Sequence, residues 1–407
     1  MQRFLVSAGV MVLLVSACTA TSSTESSAIV DGAANDLVLV YDADGGPDTL
    51  ASYRPDGTLV TSYSSESGGA IRQPIWSPDG RRIAWARGSA ESSWELVTTG
   101  VDGTGQTVHP LPAPPDYITY DPTSSVVLAL TPSTAGFGLV IVDVLDDTAP
   151  YSVVDLGRPY FSDFSPAGDR VIAHVMDEMR VVELDGDKVA LASASIGHQT
   201  PSWHPTDDVV FFTTATGGAN EIVRHDLASG VSDGIAVFAG FVFFDLDPVG
   251  STLAVSSFGT RRAGGPEAMR AQQEQPLGAG LWVIEAAGGE PIRVDDEPAA
   301  APMWDPTGAR FLVRTAIGGV GRWEVYDRDG AVSSTEQFDI DDTLLPGYLP
   351  FWDQYVRSQT LWSPDGSRFV HAGRSEDGTA GIWIHDAADS GSSTHLADGD
   401  LAFWSPT

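Results

Sequence analysis

This 407-residue sequence predicts an all-β ring of small sheets, on three observations. The stretch Trp-Ser-Pro-Asp-Gly occurs at Trp76 and again at Trp362, each time followed by a short apolar run. Six weaker copies, "TYDPTSS", "DFSPAGD", "SWHPTDD", "DLDPVGS", "MWDPTGA" and "FWSPT", keep its plan of an apolar leader, then Pro and a turn. The leading residues, Trp76, Tyr120, Phe164, Trp203, Leu246, Trp304, Trp362 and Trp404, recur every 39 to 58 residues, with only strand-like segments between them. A period near 40 residues made of strands indicates a β-propeller.

Taken in chain order, the first element is a leader. "MQRFLVSAGVMVLLVSAC" has one basic residue, Arg3, an apolar run from Phe4 to Val15 and small residues before Cys18, the layout of a signal peptide over residues 1–17. The "VSAC" ending resembles the bacterial lipobox, which implies lipidation of Cys18. Cys18 is the only cysteine, so no disulfide can form within the chain. Residues 18–36, rich in Ser, Thr and Ala and without periodicity, form a flexible tether. No later apolar stretch is long enough to span a bilayer, so the expected membrane link is the lipid anchor alone.

From residue 37 to 407 the ring is expected. "LVLVYD", "TLASYRPDG" and "TLVTSYS" supply three strands that lack an innermost partner, and the chain ends on a lone innermost strand at Trp404. The two ends therefore share one blade. With seven blades between them, the prediction is an eight-bladed propeller of four-stranded antiparallel blades, its edges removed by closure. Seven blades with one irregular segment is the alternative. Strands are named A to D from the axis outwards. In each copy of the motif, Pro presets the first turn position, Asp favours the second and Gly takes the left-handed conformation that closes an A-to-B hairpin. That places Trp76, Trp203, Trp304, Trp362 and Trp404 on innermost strands, as wedges between neighbouring sheets.

The repeat "WSPDG" followed by an apolar strand, then "IWIHD" or "WEVYD" and a turn, resembles the WD40-like Pro-Asp repeats of TolB-type propellers, found also in the propeller domains of prolyl oligopeptidase-type enzymes. The likeness extends over about residues 37 to 407 and is most specific at Trp76 and Trp362. It implies a propeller without TolB's additional α/β domain and without a peptidase domain.

Charge narrows the partners. Acidic residues outnumber basic ones by 55 to 22, giving −33, and Lys188 is the one lysine. Such a surface repels nucleic acid and anionic headgroups, so no nucleic-acid partner is expected. Catalytic look-alikes read as structure. "GVSDG" at Ser232 fits G-x-S-x-G but joins two short strands where a nucleophile elbow needs a strand and a helix. His198, His204 and His225 fall on different strands of one blade, and His385 repeats the place of His225. "DADGGPD", Asp42 to Asp48, lacks the bidentate Glu of an EF-hand. No catalytic residue, metal site or cofactor is assigned.

The two intervals of 58 carry the binding expectation. One excess, Gly259 to Gly280, joins the B and C strands of the blade begun at Leu246 and contains Arg261, Arg262 and Arg270. The other, about Asp342 to Gln359, precedes the A strand at Trp362 and contains Tyr348, Phe351, Trp352 and Tyr355. B-to-C and D-to-A connections emerge on one face of a propeller and the Pro-Asp-Gly turns on the other. Both loops should thus rise from one face, and two readings stand: the aromatics plug the ring's mouth or pack the Arg loop down, or the loops form a recognition surface, in which case replacing Trp352 and Arg262 weakens binding at no cost in stability. The expected function is an exported, monomeric, non-catalytic propeller, lipid-anchored at the cell membrane or outer membrane, that binds a protein, peptide or glycan of the envelope. The alternative is a propeller hydrolase or lyase using a metal in the central channel.

Overall fold

The computed structural model describes residues 36–43, 47–63, 69–89, 92–146, 148, 150–158, 160–193, 199–216, 218–259, 276–316, 319–340 and 348–407. These form eight antiparallel sheets, the blades of a propeller. Blade 1 joins the two ends of the ring in the order Leu401–Trp404, Val38–Asp42, Thr49–Tyr53, Leu59–Ser62. Blade 2 is Ala70–Trp76, Arg82–Ser89, Ser92–Gly100 and Thr107–Leu111; blade 3 is Tyr117–Tyr120, Val126–Ser133, Gly136–Asp143 and Ser152–Gly157. Blade 4 is Tyr160–Phe164, Arg170–Val175, Glu178–Glu183 and Lys188–Ser193; blade 5 is Ser202–Trp203, Val209–Thr216, Ala219–Asp226 and Val231–Phe238. Blade 6 is Val242–Leu246, Thr252–Ser257, Gly280–Glu285 and Ile292–Asp295; blade 7 is Ala300–Trp304, Phe311–Arg314, Trp323–Asp327 and Gly330–Ser334. Blade 8 departs from the pattern. Its B, C and D strands are Arg368–Arg374, Ala380–Asp386 and Ser393–Ala397, but its A strand is split. Phe338–Asp339 pairs with one end of the B strand at Arg374 and carries a fifth strand, Val320–Gly321, on its other side. Trp362 meets the other end of the B strand at Phe369.

The eight-bladed ring with a shared blade agrees with the sequence expectation, and local chemistry explains the agreement. At Gly80 and Gly366, φ values of 66° and 67° close the Trp-Ser-Pro-Asp-Gly turns, and the glycine N–H donates to Ser77 and Ser363 respectively. The wedge positions are deeply buried: Trp362 and Trp404 at 0% exposure, Trp76, Trp203 and Trp304 at 5%. Three indoles also reach back to the previous blade, with Nε1 donating to the carbonyl of Phe403 from Trp76, of Asp245 from Trp304 and of Met303 from Trp362. These three wedges thus exclude water between blades and keep their one polar atom satisfied, and Trp404 Nε1 donates to Asp36, whereas the Trp203 Nε1 has no partner among the described residues. Blade 1 closes through four residue pairs, Val38 with Trp404 to Tyr41 with Leu401.

Candidate functional site

The gap in the A strand of blade 8 is where the second long segment leaves. Instead of rising from the face, it turns into the central channel. Leu349–Phe351 forms a 3-10 turn and Trp352–Tyr355 one helical turn, with Tyr348, Leu349, Trp352, Asp353, Gln354 and Gln359 all at 4% exposure or less. The polar side chains of this plug hydrogen-bond to innermost strands and their connections around the ring. Gln354 pairs with the backbone of Ser162 in blade 4, its Nε2 donating to the carbonyl and its Oε1 accepting the N–H. Asp353 accepts the N–H of Thr200 ahead of blade 5, Gln359 donates to the carbonyl of Pro74 in blade 2, and the Tyr355 hydroxyl donates to the carbonyl of Asp116 ahead of blade 3. Trp352 sits edge-on to Phe243 of blade 6, and Tyr348 stacks on Tyr355 with centroids 5.0 Å apart. A propeller's inner strands run with spare edges along the axis; the plug uses them as hydrogen-bond partners.

Charge inside the channel is concentrated at Arg357. Its Nη1 lies 3.5 Å from Asp245 Oδ1. Asp163 accepts the N–H of Trp203, and Asp245, at the matching place two blades on, accepts the N–H of Trp304. Burial pushes Asp245 and Asp353 each up to about 6 and Asp163 above the ordinary carboxylate range, with Arg357 opposing the shift in all three. Burial works against the Arg357 charge too, and the three carboxylates outweigh it. Among the described residues no three His, Cys, Asp or Glu side chains converge as metal ligands.

The plug leaves space on both of its sides. Towards the Pro-Asp-Gly face are cavities of about 250 and 210 Å³, both bounded by Pro78, Tyr120 and Arg357. Towards the opposite face, where the A strands begin, a cleft of about 420 Å³ opens among blades 1, 2 and 3 over Tyr348 and Tyr355. Its rim combines Tyr41, Asp48, Arg72, Gln73 and Asp116. Asp48 is fixed, its Oδ2 accepting from the Tyr41 hydroxyl and from Ile71 N–H. Gln73 occupies a bulge in the A strand with φ at +52°, unusual for a residue with a side chain, and its Nε2 donates to the Asp116 carbonyl. Arg72 turns its guanidinium over the Trp94 ring, 5.4 Å from the centroid. Asp116 is exposed, and among the described residues its carboxylate makes no hydrogen bond.

The expected binding residues are distributed unequally. Arg261, Arg262 and Arg270 lie outside the described residues, as does Cys18. Tyr348 and Trp352, at 3% and 2% exposure, face the channel interior, while Phe351 keeps 38% of its surface in solvent. Of the two sequence readings, the burial of Tyr348 and Trp352 fits aromatics that plug the ring's mouth: hydrogen bonds from Asp353, Gln354 and Gln359 draw the segment inward, and the indole follows. Ser232 and His225 are cross-strand neighbours joined at 2.7 Å on the C and D strands of blade 5. Asp48 of the acidic loop is used by Tyr41 and Ile71, and residues 44–46 of that loop lie outside the described residues. Arg72, Gln73 and Asp116 went unread in the sequence, for each is an ordinary polar residue with no motif around it.

No family model matches the chain, and no curated protein does. Solved structures do. A eukaryotic initiation factor structure is 12% identical with a TM-score of 0.56, over 91% of this chain and 98% of that one. The dihydro-heme d1 dehydrogenase NirN is 13% identical with a TM-score of 0.57, over 90% and 74%. TolB from Acinetobacter baumannii overlaps more loosely, 16% identical with a TM-score of 0.39 over 72% and 61%. Identities this low speak to the fold alone. Their breadth of coverage and the sheet order together make this chain an eight-bladed β-propeller whose channel is stopped by an excursion of its own inner strand.

Proposed function

We propose that the chain is a non-catalytic binding propeller of the cell envelope, anchored through Cys18, that receives a protein or peptide partner on the face where the A strands begin. The observation that carries this reading is the cleft of about 420 Å³ over the plug, a concave site with aromatic walls and a few polar groups at the mouth of a blocked channel. The leader ending in "VSAC" supports the anchor, and no helix among the described residues is long and apolar enough to cross a membrane. The hydrolase or lyase alternative needs channel carboxylates free to hold an ion. Here Asp163, Asp245 and Asp353 each accept a backbone N–H and surround Arg357.

Photo-crosslinking in native envelopes tests the reading. A crosslinker at Ala70, exposed at the rim of the same cleft, should capture a partner and one at Pro78, bordering the cavities on the opposite face, should not; capture only at Pro78 overturns the face assignment. Cys18→Ser should move the protein from the membrane pellet to the soluble fraction. A stoichiometric, tightly held divalent ion in the purified protein would count for the hydrolase instead.

A further inference from the structure

We propose that the cleft over the plug recognises a guanidinium, the side chain of an arginine presented by the partner; this rests on the binding reading above. Three tyrosines border the cleft: Tyr355, half-buried, and Tyr348 and Tyr41, which keep 3% and 6% of their surface in solvent, with Tyr348 stacked on Tyr355 at an interplanar angle of 14°. A planar, weakly hydrated cation packs against the part of such rings that reaches the cleft, whereas the compact, strongly hydrated ammonium of lysine gains less from them.

Acceptors dominate the rim. Asp116 brings a carboxylate with no hydrogen bond among the described residues, and Asp48 brings a second carboxylate whose Oδ2 is held by Tyr41 and Ile71. A forked donor is the group that matches carboxylates at a partly desolvated site. Asp116 stands exposed at the rim, where partial desolvation holds its carboxyl above its usual range with Arg72 and Arg158 opposing that effect. The one cation in the lining, Arg72, is placed over Trp94. The net charge of −33 adds long-range attraction for a basic ligand.

Calorimetric titration of the purified chain with the capped peptide acetyl-Gly-Arg-Gly-amide, and with its citrulline counterpart of the same shape and no charge, provides the test. The arginine peptide should bind saturably, and citrulline should cost about tenfold or more, the effect of losing a charge-assisted pair. Asp116→Asn should weaken the arginine peptide by roughly tenfold and leave the melting temperature unchanged, because that carboxylate holds nothing in the fold. Arg72→Ala should act in the opposite direction and tighten it, a sign change that a packing defect does not produce.

Equal binding of the two peptides, no saturable binding of either, or an Asp116→Asn variant that binds as the parent does would each overturn the proposal. So would a neutral oligosaccharide binding in their place. These outcomes separate from failure of the binding reading: a native partner crosslinking at Ala70 with no charge preference among peptides removes the guanidinium and keeps the face. A partner crosslinking only at Pro78 removes the face itself.

Discussion

Replacing Trp352 by Ala measures how far the plug belongs to the ring. The indole is 2% exposed, packs edge-on to Phe243 at 6.3 Å and belongs to the core cluster that also holds Trp362, Phe403 and Trp404. Truncating a buried aromatic to Ala costs about 3 to 5 kcal/mol through lost transfer energy and the cavity left behind. An unfolding entropy near 2 cal/mol/K per residue over roughly 370 residues turns that into a fall of about 4 to 6 °C in melting temperature. The full cost appears only if the plug unfolds with the blades. If it can leave the channel alone, the loss is capped at the free energy that holds it there. Calorimetry and guanidinium unfolding followed by tryptophan fluorescence give the global value, and limited proteolysis reads the local one. A fall of the stated size with no new cleavage between 348 and 359 means one cooperative unit; a smaller fall with cleavage there means a detachable plug. A melting temperature within 1 °C of the parent with no new cleavage would refute the packing argument.

Two further predictions follow from closure and charge. Deleting Leu401–Thr407 removes the strand paired with Val38–Tyr41, so the shortened chain should melt lower and bind hydrophobic dye; melting like the parent would mean the ring closes elsewhere. Stability should also respond to pH through two opposed groups. Burial holds His385 at about 4 and His371 well below its usual value, so the unfolded chain takes up protons near 6.5 that the folded chain refuses, and this pair costs stability as pH falls from 6.5 to 4. Asp245 and Asp353, held up at about 6, do the reverse: the folded chain takes up their protons first, and stability rises as pH falls from 6 towards 4. Asp353→Asn keeps an acceptor for Thr200 N–H, so it should stabilise by up to about 2 kcal/mol at pH 7.5 and by nothing near pH 4; equal effects at both would show that Asp353 is not buried in its charged form.

Sequence and structure agree where local chemistry decides. A Pro-Asp-Gly turn specifies its hairpin within a few residues, and a Trp ahead of it wants burial in any context, so the blades and their shared closure could be read directly. The plug could not. Asp353, Gln354, Arg357 and Gln359 look like the polar residues of a surface loop, because sequence records their polarity and not the strand edges that satisfy it. Their partners, Ser162, Thr200 and Pro74, lie 153 to 285 residues away. One clue was available: Asp163 and Asp245 stand at the same place in "DFSP" and "DLDP", an acid repeated on an inner strand where apolar residues are the rule. A buried acid at a repeated position announces a partner in the channel, and Arg357 is that partner.

The shared blade bears on how the molecule is made. Leu37 N–H meets the Ser405 hydroxyl across 368 residues, so the first strand waits for its neighbour until nearly the whole chain has been synthesised. Contacts of such separation form slowly, because the long loop between them must be closed before the pairing rewards it. Blades 2 to 7 can assemble in succession as they emerge, while the edges beside Val38 and Ala70 stay open. Blade 8 cannot set its inner strand until the plug has found the channel. Under the export proposed above that delay is useful, since a ring that stays unlocked until its last strand arrives can still be threaded through a narrow export pore.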